Sequence, residues 1–370
     1  MITAEQIASM SSGLIKIYQE IEEELLINVC RRFNLDAEEG TISNWEADKL
    51  QKFGGLRKSN LAIIAKYTRK TSGQIESILK KAGYKTLELD EKVYQQAFNK
   101  GLLKYSPLPL DYSPPIQRAI SAAIENTSKY FNTINATALE SADQAFLDIV
   151  NKSYLKVSLG VSDLPQAVKA SVRELADRGI TGATYTSKTG RTIHTNIDVA
   201  VRRGIITSTS QTAGILQEQR AKDWGSSLVE VTSHVGARSS HAVWQGKIYS
   251  LQGGTAEYPN LREATGYGTV TGLKGANCAH DFYPYFDGIS TQRYYQVDKK
   301  ANETAYENSQ IQRKIEREIR QQKRRAEAAS AIGDNEGYVA ATAQIKAKQA
   351  EMREFIKETG RTRRISREQI

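Results

Sequence analysis

The 370-residue sequence has few cysteines and no long hydrophobic run, and each absence argues against a class of protein. Its two cysteines, Cys30 and Cys278, lie far apart in different contexts, so they do not indicate a disulfide framework. No apolar run approaches the roughly 20 residues that a membrane-spanning helix needs. Residues 1–27 mix apolar and acidic side chains, which does not fit a secretory signal peptide. We therefore expect a protein that is made in a cytoplasm and has no membrane-spanning segment.

Positive charge is in moderate excess and is concentrated at one end of the chain. The 51 lysines and arginines outnumber the 42 aspartates and glutamates, which gives a net charge of +9. This balance is compatible with nucleic acid or an acidic protein as partner, although a solvated surface explains most of it. The last ten residues hold one acid, Glu368, and four arginines that are candidates for contacting DNA or a partner protein: Arg361, Arg363, Arg364 and Arg367.

The fold class that the sequence predicts is mainly α, with long helices. Residues 1–104 form a predicted helical region, because apolar residues recur at helical spacing, with an expected break at Gly54-Gly55 and a new helix start at Thr71. Four of the seven prolines lie in the segment 105–115, which predicts an extended connector. Residues 116–225 form a second predicted helical region, with a β-hairpin near 184–194.

The remaining sequence predicts a small mixed module and a helical hairpin. Strand-like segments at 226–233 and from Lys247 onward place a compact α+β module at residues 226–296. Residues 297–370 are predicted to be a helical hairpin with a basic tail. Its two narrow apolar seams comprise Ile311, Ile315 and Ile319 in the first helix and Tyr338, Ile345, Met352 and Ile356 in the second.

Histidine is also rare, and three of the four histidines fall in the mixed module together with one cysteine. Cys278 and His280 are two residues apart, so in extended backbone they share a face. His234 and His241 lie seven residues apart across a turn. Imidazole nitrogen and thiolate sulfur are ligands that zinc prefers, and four such groups complete a tetrahedral site. These four residues are therefore a candidate structural zinc site, and hydrogen-bonded packing of the same side chains is the alternative.

Two other chemistries are open for this cluster. A catalytic zinc would need an open coordination position and a general base, for which Asp281 or Glu263 is available. A Cys278 thiol activated by a histidine could instead act as a nucleophile.

The glycine-rich segment 266–275 is not a phosphate loop, because Gly272 precedes Leu and Lys rather than Lys and Ser or Thr. We also expect Arg238 to pair with a nearby acid such as Glu230.

The module carries a recognisable signature. It reads S-H-V-G-A-R-S-S-H-A-V-W-Q-G-K-I-Y-S-L from Ser233, followed after a short interval by G-A-N-C-A-H-D-F-Y-P-Y-F. This segment resembles the phage minor capsid protein 2 family, whose relatives are the Mu F-like head morphogenesis proteins. The resemblance covers roughly residues 179–288, and the helical chain before them more loosely.

The resemblance implies a structural minor head protein of a tailed phage, not an enzyme. Such a protein would be incorporated during head assembly and would associate with the portal protein and other capsid proteins, with phage DNA as a further candidate partner. It would lie in the virion, and in the host cytoplasm during assembly, with possible roles in DNA packaging or ejection. The alternatives are a zinc-dependent enzyme that uses the histidines and cysteine, and a DNA-binding protein that escorts the genome.

Overall fold

The structure is a computed structural model that describes residues 3–35, 41–187 and 189–370. Helices dominate these residues, and the strands are short, so the predicted fold class is confirmed. The helices are α1 (Ala4–Cys30), α2 (Ile42–Asn99), α3 (Pro114–Ser158), α4 (Leu164–Arg178), α5 (Ile197–Trp224), α6 (Ser239–Ala242), α7 (Leu261–Thr265), α8 (Lys299–Ile332) and α9 (Asn335–Thr359). The strands are β1 (Thr181–Thr186), β2 (Thr192–Asn196), β3 (Leu228–Val231), β4 (Ile248–Ser250) and β5 (Phe282–Pro284). None of the described helices combines the length and apolar character that a membrane crossing requires.

Helix α2 is continuous, so the expected break at Gly54-Gly55 and the helix start at Thr71 are both wrong. The two glycines lie on an exposed face, and each costs a helix only about 1 kcal/mol. Buried side chains such as Trp45 and Leu56 hold the helix on either side of them. The Thr71 hydroxyl donates to the carbonyl oxygen of Thr68 at 2.8 Å instead of capping a new helix.

Proline and aspartate mark the starts of the next two helices. Pro114 and Pro115 form the beginning of α3, where a missing backbone N–H is tolerated, and the connector before them contains a short 3-10 helix at Leu110–Tyr112. Asp163 caps α4 by accepting a hydrogen bond from Gln166 N at 2.8 Å.

The predicted β-hairpin is formed by β1 and β2, which pair antiparallel with Thr184 opposite His194. Position 188 of the predicted range lies outside the described residues.

The chain divides into two compact units, each assembled from three separate segments. The first unit comprises Met1–Gly13, Ser72–Tyr130 and Arg202–Gln310. The second comprises Leu14–Thr71, Phe131–Val201 and Ile311–Ile370. The division into five consecutive regions that we expect from the sequence stays a prediction.

A three-stranded antiparallel sheet organises the mixed module of the first unit. Its strand order is β4-β3-β5, with Val229 opposite both Tyr249 and Pro284. Pro284 is tolerated because β5 is an edge strand of this sheet. The buried core around the sheet consists of Val229, Val231, Trp244, Tyr249, Leu261, Tyr267, Leu273, Cys278 and Phe282. The sheet therefore provides the framework on which the candidate site is built.

The C-terminal part of the second unit is formed by α8 from Ile311 onward together with α9. Its core comprises Ile315, Ile319 and Met352, with Phe355 and Ile356 packed against them. Asp334 caps α9, and Gly360 ends it in a left-handed conformation, with φ 64°. Ile311 and Tyr338, which we placed in the seams, are about half exposed. The apolar seam is thus shorter than its periodicity indicates.

Candidate functional site

Strand pairing brings the distant parts of the histidine–cysteine pocket (His234, His241, Cys278 and His280) together. The ladder between β3 and β5 continues beyond β3, where Thr232 N donates to Asp281 O at 2.9 Å. His280, which precedes Asp281, therefore lies beside the chain that leads to His234, and their ring centroids are 4.4 Å apart. Helix α6 supplies His241. Cys278 lies in the loop before β5.

Three of the four pocket side chains form a tight buried group. The Cys278 sulfur lies 3.7 Å from His241 Nδ1 and 3.6 Å from His280 Nδ1. Each of the three residues offers an atom to a group that lies within 4.8 Å, and all three residues are buried. Trp244 covers the group, with its ring centroid 4.5 Å from that of His241. The structure therefore brings His241, Cys278 and His280 together, and their role as zinc ligands stays a prediction.

Hydrogen bonds fix the tautomers of His241 and His280. His241 Nε2 lies 2.8 Å from the carbonyl oxygen of Thr271, which can only accept, so this nitrogen carries the proton. The backbone N–H of His234 donates to Gln245 Oε1 at 3.1 Å, which fixes the orientation of that amide. The same oxygen lies 2.8 Å from His280 Nε2, so this nitrogen also donates. Both Nδ1 atoms are therefore left with lone pairs that face the Cys278 sulfur.

His234 stands beside this group with one nitrogen unsatisfied. Its Nδ1 lies 3.2 Å from the carbonyl oxygen of Val235, so Nδ1 carries the proton and Nε2 has the lone pair. The Nε2 atom is buried and has no hydrogen-bond partner within the part of the chain that the structure describes. The structure places His234 against His280, but it does not include His234 in the group of three.

Burial favours the neutral form of each of the three clustered side chains. It lowers the pKa of His280 to about 2, with further contributions from His234 and His241. It also lowers the pKa of His241 and raises the pKa of the Cys278 thiol. In these neutral forms a single thiol proton faces two imidazole lone pairs.

Three side chains that the sequence did not identify as site residues brace the pocket. Gln245 links His234 to His280 and is fully buried. Asn302 accepts from Gly236 N and Ala237 N, both at 2.9 Å, and so holds the turn after His234. Arg238 donates to the carbonyl oxygen of Ala276 at 2.7 Å. Gln245 lies 11 residues from His234 and 35 from His280, and Asn302 lies 66 residues from Gly236, so sequence alone could not assign these amides to this role.

The expected pairing of Arg238 with Glu230 is wrong. Glu230 is buried and instead accepts from the hydroxyl of Tyr283 and from the backbone N–H groups of Arg293 and Tyr294. The β3–β5 register places Tyr283 opposite Glu230, which explains this pairing. Glu230 therefore fastens the segment that follows β5 to the sheet.

Of the two acids that we considered as catalytic bases, Asp281 pairs with a lysine and Glu263 faces solvent. Asp281 forms an ion pair with Lys274, whose ammonium group also donates to Gln217 Oε1 at 3.0 Å. Glu263 lies in α7 and is exposed. The group of three clustered ligands does not include either carboxylate. The enzyme alternative thus gains no general base from these contacts.

The arginine tail (residues 361–370) folds back on the second unit and does not extend from it. Arg363 makes two hydrogen bonds with the buried carboxylate of Glu368, at 2.7 and 2.6 Å. Arg361 donates to Gln312 Oε1 at 2.8 Å, and Arg367 lies 4.0 Å from a Glu316 carboxylate oxygen. Arg364 is exposed.

Backbone contacts hold the tail as well. Gln19 donates to the carbonyl oxygens of Ser366 and Gln369, at 3.2 and 3.0 Å. Arg320 donates to the carbonyl oxygen of Arg367. Internal acceptors therefore hold three of the four tail arginines, Arg361, Arg363 and Arg367.

These features define a mainly helical protein whose small sheet module encloses a cluster of potential metal ligands. Residues 2–357 match the phage minor capsid protein 2 family, and the chain belongs to this family. The resemblance seen in the sequence is therefore confirmed, and the protein is a phage structural protein. The arginine tail lies beyond the matched residues.

Two curated relatives are both named structural protein. One, from Lactococcus phage LL-H, is 28% identical over 353 residues, which cover 91% of each chain. The other, from Lactococcus phage mv4, is 34% identical over 115 residues, which cover 31% of this chain and 93% of the relative. No solved structure matches the chain.

Proposed function

We propose that the protein is a minor component of the phage head that is incorporated during assembly in the host cytoplasm and contacts the portal protein. Family membership over residues 2–357 is the observation that carries this proposal. The head contains several structural proteins that must recognise one another, and a chain of this family has to present surfaces for that recognition. The structure offers one such surface in the first unit.

That surface is the connector surface, formed by Leu102, Tyr105, Leu108 and Tyr112. These large apolar side chains are 52%, 55%, 60% and 73% exposed, respectively. Several large apolar side chains exposed along one short segment are a feature of protein interaction sites. We propose the portal protein as the occupant, because the family resemblance implies association with the portal.

The test uses a phage that lacks the gene and is complemented with variants. The double variant Leu108→Asp with Tyr112→Asp should lower incorporation into heads by more than about tenfold, because burying one large apolar side chain contributes about 1.5–3 kcal/mol. Val339→Asp is a matched control, since Val339 is 66% exposed on α9. Wild-type incorporation of the double variant would exclude the connector surface. Normal, infectious heads in the complete absence of the protein would exclude the assembly role.

A second candidate function is contact with packaged DNA through the arginine tail, with a role in packaging or ejection. The exposed Arg364 favours it. Truncation after Thr359 should then leave the sheet module folded but reduce retention of the protein in full heads relative to empty ones. Mass spectrometry of virions before and after DNA release measures this ratio. Equal retention of truncated and full-length protein in both kinds of head would contradict contact between the tail and DNA.

A further inference from the structure

We propose that the histidine–cysteine pocket binds one structural zinc ion, with His241, Cys278 and His280 as ligands and His234 as the fourth. The three clustered residues offer two nitrogen atoms and one sulfur atom in a buried site. Neutral imidazole and thiolate are the ligand types that structural zinc sites use. This inference does not depend on the proposed role in head assembly.

The distances agree with tetrahedral coordination. Zinc binds sulfur at about 2.3 Å and imidazole nitrogen at about 2.0–2.1 Å, so tetrahedral angles place the two ligand atoms about 3.5–3.6 Å apart. The Cys278 sulfur lies 3.6 Å from His280 Nδ1 and 3.7 Å from His241 Nδ1. These two sulfur–nitrogen distances match a shared metal ion. Because the three ligand atoms span up to 4.8 Å, metal binding would draw the two imidazole nitrogens closer together.

The outward-facing ring nitrogens are held as zinc sites require. Metal-binding histidines generally donate their other ring N–H to a carbonyl, a carboxylate or water, which orients the ring. His241 donates to Thr271 O, His280 to the amide oxygen of Gln245, and His234 to Val235 O. His241 and His280 consequently keep one lone pair each toward the Cys278 sulfur, and His234 keeps a buried lone pair on Nε2.

Hydrogen-bonded packing alone leaves this pocket incompletely satisfied. The Cys278 thiol has one proton and can donate it to one Nδ1 only, so the other Nδ1 faces sulfur without a hydrogen. His234 Nε2 is a third buried lone pair, and within the described residues it has no donor. Buried acceptors without donors are costly. Zinc would satisfy these lone pairs together.

The binding step balances simply. The Cys278 S–H bond breaks, a sulfur–zinc bond forms, and the proton leaves to water, while the three imidazoles coordinate as neutral ligands. The site then carries the charge of Zn²⁺ and one thiolate. Four protein ligands leave no open coordination position, which indicates a structural rather than a catalytic zinc site.

The first test is metal content of the full chain purified without chelators. We expect about one zinc per chain in the wild type and in two controls, Cys30→Ala and His194→Asn, whose positions lie outside the pocket. Cys278→Ser and His280→Asn should lose the zinc. Retention of one equivalent in both of these variants, or wild-type protein without zinc that takes up none when Zn²⁺ is added, would overturn the proposal.

The second test needs no variant that could fail to fold. Wild-type protein in which Co²⁺ replaces zinc should show the strong visible bands of a tetrahedral ion and a thiolate-to-cobalt charge-transfer band. The same bands should appear in Cys30→Ala, which leaves Cys278 as the only cysteine. Weak octahedral bands without charge transfer would show an adventitious surface ion and contradict the assignment.

Discussion

The histidine–cysteine pocket and the arginine tail are both rich in polar groups, but they differ in how completely those groups satisfy one another. In the tail, Arg363 meets Glu368, Arg361 meets Gln312, and backbone carbonyls accept from neighbouring side chains. In the pocket, several lone pairs converge on one proton. The polar groups of the tail satisfy one another, whereas the buried lone pairs of the pocket are the basis of the proposed zinc site.

The two cysteines sharpen this comparison. Cys30 lies buried at the end of α1, and burial raises the pKa of its thiol to about 12. Cys278 is buried as well, but two imidazole nitrogens approach its sulfur. Both cysteines are buried, so burial does not distinguish them, and the two imidazole nitrogens near its sulfur are what make Cys278 the candidate ligand.

The largest effect that we expect comes from replacing these cysteines separately. Cys278→Ser should lower the free energy of unfolding of the module by more than about 3 kcal/mol, because it removes a metal ligand from a buried site. Cys30→Ala should cost only about 1–2 kcal/mol, since it removes one buried sulfur atom. Denaturant unfolding with and without added Zn²⁺ measures both. Equal losses in the free energy of unfolding for the two substitutions would contradict a metal-binding role for Cys278.

Removal of metal should separate the two regions within one molecule. Chelation should increase amide exchange in β3, β5 and the segment 266–280, because the zinc links these parts of the chain. Exchange in α9 and in the tail should change little. Hydrogen exchange with peptide-level resolution reports both regions in the same sample. Uniform loss of protection along the chain, or no change anywhere, would contradict a local structural metal.

A smaller effect distinguishes two adjacent arginines of the tail. Arg363→Ala should destabilise the protein by about 1–3 kcal/mol, because it leaves the buried Glu368 carboxylate without its bidentate partner. Arg364→Ala should change stability by less than about 0.5 kcal/mol, since Arg364 is exposed. Thermal unfolding of the two variants provides the comparison. A larger cost for Arg364 would mean that the tail does not fold back as described.

Local patterns predicted most of the helices and the existence of the pocket. Helical spacing of apolar residues located the α8–α9 hairpin, and the Cys278-x-His280 spacing placed two candidate ligands on one face. The same reasoning was wrong about Gly54-Gly55, because two exposed glycines do not outweigh the packing around them. The same reasoning predicted that the apolar seam of the hairpin includes Ile311 and Tyr338, but both side chains are about half exposed.

Other features depend on tertiary contacts that no spacing reveals. The roles of Gln245 and Thr271 in orienting the histidines follow from the approach of α6 to the segment before β5. The folded-back tail depends on Gln19, which lies about 350 residues away in sequence. Arg238 and Glu230 carry opposite charges near each other in sequence, yet the sheet register gives each a different partner.

The most direct measurement of the central claim is X-ray absorption at the zinc edge on the full-length protein. We expect a first shell with one sulfur at about 2.3 Å and three imidazole nitrogens at about 2.0–2.1 Å. Outer-shell scattering typical of imidazole rings should accompany it. A first shell made of oxygen and nitrogen atoms without sulfur would contradict the account, because zinc would then be bound somewhere other than Cys278.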